Sequence, residues 1–209
     1  GLSVLSWNKS ACAVKVPEGV TRIERDAFRT NDVLKNVSLP STLTSIGFSA
    51  FEDCSELMYI NIPSSVTEIE YQAFSGCKQL TEITLPKGLT KLTRWSFGRT
   101  GISNVVIPEG VIELEIASLS SNQLKHVVLP DSVKVIAENA LYGNPLETLI
   151  IPEHVTTIGE NAIGGQYVIC YAKEGLTNLD DGAFFWTPKA VYCWEFSPME
   201  AYANEKGYN

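Results

Sequence analysis

Apolar residues recur along this chain at fixed distances from a series of evenly spaced prolines. These are Pro17, Pro40, Pro63, Pro86, Pro108, Pro130 and Pro152, at intervals of 23 residues three times and then 22 residues three times. A period of this length is typical of a solenoid, in which units too small to bury their own apolar face stack on one another. The pattern therefore predicts stacked repeats over most of the chain.

The residues before each proline predict a short strand. Apolar side chains lie six, three and one positions before it, in the sets Leu34-Val37-Leu39, Leu57-Ile60-Ile62, Leu80-Ile83-Leu85, Ile102-Val105-Ile107, Leu124-Val127-Leu129 and Leu146-Leu149-Ile151. The last two members alternate with polar or variable residues, as expected of a strand with one buried face. Proline has no N–H to donate to a ladder and so ends the strand.

The residues after each proline predict the rest of the unit. Apolar residues follow at three and six positions, then a small and a bulky residue at ten and eleven, as in Val66, Ile69, Ala73 and Phe74. The small residue lets the outer side approach the sheet, and the bulky one fills the core between the layers. Side chains that can hydrogen-bond backbone groups or pack as small hydrophobes occupy the next turn. They are Asn31, Cys54, Cys77, Asn122 and Asn144.

The combined unit, L-x-x-L-x-L-P-x-x-V-T-x-I-x-x-x-A-F-x-x-C, resembles the BspA-like or Treponema-type leucine-rich repeat. Its clearest copies are CSELMYINIPSSVTEIEYQAF and CKQLTEITLPKGLTKLTRWSF, and the resemblance covers roughly Val14 to Phe184. It implies an α/β leucine-rich repeat solenoid of about eight repeats of 22–23 residues. Short parallel strands would form one face, and the convex side would be irregular, turn-like or briefly helical. It also implies an exported or surface-attached bacterial protein.

The two ends predict caps, because the first and last rungs of a solenoid would otherwise expose its core. We expect one domain in three parts: an N-terminal cap or irregular first rung over 1–13, the solenoid over 14–196 and a C-terminal cap helix within 197–209. The first part carries Leu2, Val4, Leu5 and Trp7.

The C-terminal segment contains the signals of a short helix. Ser197 to Glu200 form a capping box with proline at the first helical position, and Gly207 is a stop signal. The prediction is a helix from Pro198 to Lys206, with Met199, Tyr202 and Ala203 facing the last rung.

An aromatic cluster precedes this helix and admits two interpretations. Its members are Phe184, Phe185, Trp186, Tyr192, Trp194 and Phe196. They are either a binding site or packing for the cap, and we expect most of them to pack.

Charge and hydropathy narrow the class of partner. The net charge is −8 and the sequence pI is near 4.8, which argues against nucleic acid and anionic membranes, since both attract clustered Lys and Arg. No apolar run approaches the roughly 20 residues of a membrane span. The chain begins at Gly1 without a signal peptide, and the resemblance implies that such a signal was removed, placing the protein outside the cell or on its surface.

Five cysteines leave at least one thiol unpaired. Cys54 and Cys77 hold the same place in consecutive repeats, and Cys170 and Cys193 are expected to share a ladder. Neighbouring rungs lie about 5 Å apart, a separation that a disulfide can bridge. Stacked buried thiols are the alternative, and we favour them.

The sequence predicts no catalytic, cofactor or metal site. His126 and His154 belong to adjacent repeats but hold different positions, and Asp180-Asp181 lack calcium-loop spacing. No phosphate-binding glycine loop or nucleophile elbow is present. We therefore expect a protein that is not an enzyme and has no cofactor.

The strand residues that point away from the core differ between the two halves of the chain. Two positions before each proline the side chains are Lys15, Ser38, Asn61 and Thr84, followed by Val106, Val128, Ile150 and, by extension, Tyr171. The row four positions before it includes Tyr59, His126 and Ile169. The candidate protein-binding residues are Tyr59, Val106, His126, Val128, Ile150, Ile169 and Tyr171. The alternative is that β-branched residues simply suit strands.

Three functions compete on this basis. The leading hypothesis is a non-enzymatic module that binds a protein, such as a host matrix or cell-surface protein, through its sheet face; adhesion is what the resemblance implies. The second is a spacer or self-association unit, including a weak homodimer. The third is a carbohydrate-active enzyme, which would need two carboxyls across a cleft that the pattern does not predict.

Overall fold

A computed structural model describes residues 2–4, 10–173 and 175–208. Over these residues the chain forms short strands and, near its end, a helix. In chain order they are β1 (Leu2–Val4), β2 (Ala13–Lys15), β3 (Val20–Ile23), β4 (Asn36–Ser38), β5 (Ser45–Ile46), β6 (Tyr59–Asn61), β7 (Glu68–Ile69), β8 (Lys91–Leu92), β9 (Asn104–Val106), β10 (Glu113–Leu114), β11 (His126–Val128), β12 (Val135–Ile136), β13 (Thr148–Ile151), β14 (Thr157–Ile158), β15 (Tyr167–Cys170), β16 (Asn178–Leu179), β17 (Ala190–Cys193) and α1 (Pro198–Lys206).

The strands stack as two parallel ladders on different sides of one solenoid. The strands that precede the prolines form what we call the sheet face, in the order β2-β4-β6 and then β9-β11-β13-β15-β17. The strands that follow the prolines form a second face, β1-β3-β5-β7 and β8-β10-β12-β14-β16. All of these pairings are parallel, which confirms the predicted solenoid of short parallel strands. The sequence predicts strands on one face only. The second face is a further parallel ladder, made of strands that are mostly two residues long.

Both ladders are interrupted at the same height. Among the described residues no strand pair crosses from the third repeat to the fourth, and Glu82 joins the next strand through a single bridge to Asn104. Between the third and fourth repeats, backbone hydrogen bonds join the turns of the outer side. There the Phe74 N–H donates to the Ser96 carbonyl at 2.9 Å, as the Phe51 N–H does to Ala73 at 2.8 Å one repeat earlier. The core cluster also continues through it.

The outer side is built from turns with a repeated left-handed backbone. Nine residues after each proline φ lies between 50° and 57°, at Asp26, Ser49, Gln72, Trp95, Ala117, Asn139 and Asn161. Thirteen residues after the proline φ is again positive, at Thr30, Asp53, Gly76, Arg99, Ser121 and Gly143. A left-handed residue reverses the chain direction within a few residues, so these two positions fold the outer side into a compact column.

The core is a stack of equivalent side chains. The rings of Phe28, Phe51, Phe74 and Phe97 lie at successive centroid distances of 4.8, 5.2 and 5.4 Å, with interplanar angles of 3–5°. Leu119, Leu141 and Ile163 continue the stack and are fully buried. The small residue before each of these is also buried, as predicted.

The turn residues before the next strand hold one kind of carbonyl. The thiols of Cys54 and Cys77 donate to the carbonyls of Phe28 and Phe51, each at 3.1 Å. The amide of Asn122 donates to the corresponding carbonyl of Phe97 at 2.9 Å. Cysteine and asparagine thus perform the same inter-repeat task.

Asparagine performs a second task in the 22-residue repeats, whose turn is one residue shorter. The Asn122 Oδ1 accepts the Thr100 N–H at 2.9 Å, and the Asn144 Oδ1 accepts the Leu124 N–H at 3.2 Å. In the longer turn the corresponding N–H groups donate to carbonyls of the same turn. Leu57, the counterpart of Leu124, donates to the Cys54 carbonyl at 3.0 Å, and Cys54, the counterpart of Thr100, donates to the Phe51 carbonyl at 3.2 Å. In the 22-residue repeats, the asparagine oxygen of the next repeat therefore accepts an N–H that a carbonyl of the same turn accepts in the 23-residue repeats.

Helix α1 caps the last rung with the bounds predicted from the sequence. Ser197 accepts the Glu200 N–H at 3.1 Å, and Gly207 ends the helix with φ 70°. Met199, Tyr202 and Ala203 are buried, and the Tyr202 ring stacks on Phe184 at 5.7 Å. No described helix has the length and apolar character to cross a membrane.

At the other end, β1 pairs with β3, so Leu2 and Val4 form part of a first rung. The predicted contribution of Leu5 and Trp7 lies outside the described residues.

Candidate functional site

The C-terminal half of the sheet face exposes a continuous row of apolar side chains. Five successive strands each contribute one residue, and we call the row Val106, Val128, Ile150, Ile169 and Tyr192 the apolar strip. Val106 is 73%, Val128 67%, Ile150 46% and Tyr192 57% exposed, and Ile169 is half-buried. Parallel neighbours lie about 4.8 Å apart, so the strip is about 19 Å long.

Two of the predicted positions are wrong by two residues. Ile169 pairs with Ile150 and Tyr192, so it belongs to the strip and not to the adjacent row. Tyr171 lies beyond the end of β15. It is the counterpart of Pro152 in the preceding repeat, not of Ile150. The cause is a shorter turn: Leu141 and Thr148 are seven residues apart, whereas Ile163 and Tyr167, their counterparts, are four apart.

The other two predicted residues, Tyr59 and His126, lie off the strip. His126 is in the neighbouring row, paired with Asn104 and Thr148, and its Nε2 is 3.9 Å from a Glu147 oxygen. Tyr59 is 70% exposed but lies on β6, among the polar side chains of the N-terminal half. The structure therefore brings together Val106, Val128, Ile150 and Ile169, with Tyr171 near one edge.

Tyr192 extends the strip into a group of exposed rings, which includes Tyr171 and two members of the aromatic cluster expected mostly to pack under the cap. Tyr171, Trp194 and Phe196, here the aromatic corner, are exposed, and Phe196 is 94% exposed. Phe184 does pack under the cap, but the expectation is wrong for Trp194 and Phe196, as it is for Tyr192 and Trp186. The alternation of a strand through Ala190–Cys193 would have placed Tyr192 outward.

The aromatic corner and the strip share a shallow depression of about 360 Å³. Its walls include Ile150, Tyr171 and Trp194, together with the carboxylates of Asp131 and Glu153. A cation already lies at its edge. The Lys173 Nζ is 3.7 Å from a Glu153 oxygen and 4.6 Å from the Trp194 ring centroid.

A larger depression of about 850 Å³ lies on the N-terminal half of the sheet face. Tyr59 lines it beside polar side chains that include Lys15, Asn36 and Asn61. This half offers an open polar surface, in contrast to the apolar strip.

All five cysteines are free thiols. Cys54, Cys77 and Cys170 are buried, as favoured from the sequence, whereas Cys193 is half-buried and Cys12 is exposed. Cys170 and Cys193 do face each other across the ladder of β15 and β17. Burial raises the pKa of Cys77 well above its usual value and that of Cys170 to about 11. Both thiols therefore stay protonated near neutral pH, a state in which sulfur is a poor nucleophile.

Among residues 2–4, 10–173 and 175–208, no group of three or more His, Cys, Asp or Glu is placed to hold a metal ion. The Asp180 carboxylate accepts the Gly182 N–H at 2.8 Å, an arrangement that stabilises a turn.

Comparison with known proteins identifies the repeat. The family described as BspA type leucine-rich repeat region, in six copies, matches residues 5–118, 50–170 and 103–189. No curated protein matches the sequence significantly.

Solved structures share the architecture. A leucine-rich cell-surface protein from Faecalibacterium prausnitzii is 26% identical, with a TM-score of 0.64 over 82% of this chain and 51% of that one. A leucine-rich repeat protein from Bacteroides ovatus is 22% identical, with a TM-score of 0.53 over 88% and 71%. The pneumococcal vaccine antigen PcpA is 16% identical, with a TM-score of 0.54 over 92% and 65%.

The present chain spans about half the length of the Faecalibacterium protein. The periodic sequence, the stacked parallel rungs and the family match over most of the chain agree, and the chain belongs to the BspA-type leucine-rich repeat family.

Proposed function

We propose that this chain is a non-enzymatic protein-binding module of a bacterial surface or secreted protein, and that its binding site is the apolar strip with the aromatic corner. The observation that carries the proposal is the continuous row of exposed or half-buried apolar side chains on five neighbouring strands. Adhesion to a host or bacterial protein is the corresponding biological role.

The composition of this surface favours an interface over simple strand preference. Strand preference explains the valines, the isoleucines and Tyr192, because β-branched and aromatic residues favour strands. It does not explain why Tyr171 and Trp194, which lie beyond the ends of β15 and β17, extend the same exposed surface. Tyr and Trp are enriched where binding energy concentrates in protein interfaces. A contiguous apolar patch on a monomer also marks interaction sites more often than scattered apolar residues do.

The proposed location outside the cell has support from the comparisons. The Faecalibacterium neighbour is named as a cell-surface protein, and it is similar to this chain in both sequence and fold. A module at that location would meet host matrix proteins or the surfaces of other cells.

The test is a pull-down from host matrix and cell-surface extracts with a Val128→Asp, Ile150→Asp variant. Two carboxylates in the strip should abolish capture of a partner, since an interface core desolvates what it buries. The matched control is Ser38→Asp, Asn61→Asp, which adds the same charges on the polar half of the same face. Circular dichroism establishes that all three proteins are folded. Equal capture by the strip variant and the wild type would contradict the proposal.

Self-association is a second candidate, favoured by the same exposed strip. Light scattering distinguishes it: a dimer that Val128→Asp dissociates indicates that the strip binds a second copy. A monomer that captures no partner indicates a spacer within a longer protein.

A further inference from the structure

Charge is distributed unevenly between the two halves of the chain. Residues 1–105 contain eleven Lys and Arg against ten Asp and Glu, whereas residues 106–209 contain five against fourteen. All five arginines lie in the first half. The apolar strip therefore lies on the acidic half of the molecule.

Part of this acidity lies along one edge of the strip, just beyond the prolines. Glu109, Asp131 and Glu153 each follow the proline that ends a strand, so they form a row along one edge of Val106, Val128 and Ile150. All three are exposed. Like charges on successive rungs repel one another, and a cation laid along the row removes that repulsion.

The position of Lys173 shows which group this edge accepts. Its ammonium lies between the Glu153 carboxylate and the Trp194 ring, so ion pairing and cation–π attraction act together. Asp131 and Tyr171 line the same depression. Among the described residues, Asp131 has no ion pair within 4 Å. A cation from a partner could bind Asp131 and Tyr171 as Lys173 binds Glu153 and Trp194.

The spacing of the strip favours a helix as the partner element. The rungs are about 4.8 Å apart, and a helix repeats the same side about every 5.4 Å. In an extended chain the side chains on one face repeat about every 6.6 Å. They therefore fall out of step with the rungs sooner than those of a helix do. A helix of about 15 residues is about 22 Å long, enough to cover the five strands.

The strip alone is also too small to be a whole interface. A specific interface buries about 800 Å² on each partner, so a partner must cover neighbouring rows as well. The carboxylate row and the aromatic corner are continuous with one edge of the strip, and the row of Asn104, His126 and Thr148 is continuous with the other.

From these observations we infer that the partner of the strip is a basic amphipathic helix of another protein. Its apolar side lies along Val106 to Tyr192, and Lys or Arg side chains on its adjacent side meet Glu109, Asp131 and Glu153. The inference rests on the proposed protein-binding function and specifies the chemistry of the partner.

The probe is a fluorescent, amidated peptide of about 15 residues, made of Leu and Lys in a helical pattern. Its affinity is measured by fluorescence anisotropy at salt concentrations from about 50 to 500 mM. Two comparison peptides are a Leu/Glu peptide of the same pattern and a Leu/Lys peptide in alternating order.

Two charge variants separate the site from general attraction between a cationic peptide and an acidic protein. The strip-side variant is Glu109→Gln, Asp131→Asn, Glu153→Gln. The matched control is Glu138→Gln, Glu160→Gln, Asp181→Asn, which changes the net charge equally among exposed residues of the outer turns. We expect the strip-side variant to bind the helical Leu/Lys peptide about tenfold more weakly, and the control to bind it as the wild type does.

Equal weakening by both variants, tighter binding of the Leu/Glu or alternating peptide, or no binding of the helical Leu/Lys peptide would overturn the inference. These results are distinct from failure of the proposed function. A natural partner that is lost with Val128→Asp, Ile150→Asp but unaffected by the strip-side charge variant would leave the function standing and remove the basic helix.

Discussion

At the scale of single residues, the repeat tolerates different side chains wherever they satisfy the same contact. Cysteine and asparagine both donate to the phenylalanine carbonyl of the preceding repeat. The small position on the outer side is alanine in five repeats and serine in two, and the two residues are not equivalent there. The buried hydroxyls of Ser96 and Ser118 have no hydrogen-bond partner among the described residues.

The first prediction follows from these hydroxyls. Ser96→Ala should raise the free energy of unfolding by about 1 kcal/mol, because a buried hydroxyl without a partner loses its hydration on folding. Urea denaturation measures the change. Ser132→Ala is the matched control and should lower the free energy by about 1 kcal/mol, because its hydroxyl donates to the Val111 carbonyl at 2.7 Å. A decrease for Ser96→Ala would show that its hydroxyl is satisfied.

At the scale of the elements, the stack of four phenylalanines differs from its aliphatic continuation. Parallel rings 4.8 to 5.4 Å apart fill the first four repeats, and leucine or isoleucine fills the later ones. The stack therefore accepts two shapes of side chain.

The second prediction concerns the middle of this stack. Phe74→Ala should lower the free energy of unfolding by about 3–5 kcal/mol, since it leaves a cavity between two fixed rings. Phe74→Leu should cost about 1–2 kcal/mol, because it keeps most of the volume. Denaturant unfolding monitored by circular dichroism measures both. Similar losses for the two variants would indicate that ring stacking outweighs volume.

The elements also show what the sequence could and could not predict. The strands before the prolines and helix α1 followed from apolar spacing and capping residues, which are local signals. The left-handed positions are held by residues as different as Trp95, Ala117 and Arg99, so side-chain identity does not reveal them.

The residues of the apolar strip could be predicted from the sequence only in the repeats that contain the periodic proline. Val106, Val128 and Ile150 precede a proline by two residues, whereas Ile169 and Tyr192 belong to copies without that anchor. The buried residues Ile163, Gly164 and Gly165 lead into β15 through a turn three residues shorter than its predecessor, and no periodic signal marks that loss.

At the scale of the whole molecule, stability is a sum of contacts between neighbouring repeats. Helix α1 covers the last described rung in the place where a further repeat would stack. Tyr202 holds this cap in place, since its ring stacks on Phe184 and its hydroxyl donates to the Asp181 carbonyl at 3.1 Å. Burial raises the pKa of this hydroxyl to about 12, so it stays protonated as a donor.

The third prediction follows from this arrangement. Tyr202→Ala should increase amide hydrogen exchange in β16 and β17 and leave β4 to β7 unchanged, because coupling passes only between adjacent repeats. Hydrogen exchange read by mass spectrometry resolves the two regions. Tyr59→Ala, a change at an exposed tyrosine on β6 far from the cap, is the control and should leave exchange in β16 and β17 unchanged. Faster exchange through the whole solenoid would indicate one cooperative unit.

The paired left-handed positions have a consequence for how such a protein changes in length over evolution. Each outer turn meets the next through backbone bonds at matching places, such as Phe28 to Ala50 and Phe51 to Ala73. A residue gained or lost between the two positions would shift one turn out of register with both neighbours. When a complete repeat is added or removed, each outer turn can still make the same backbone hydrogen bonds with its new neighbour. Viable relatives should therefore differ in length by whole repeats, and single-residue changes should fall in the turn before the strand, where 23 residues have already become 22.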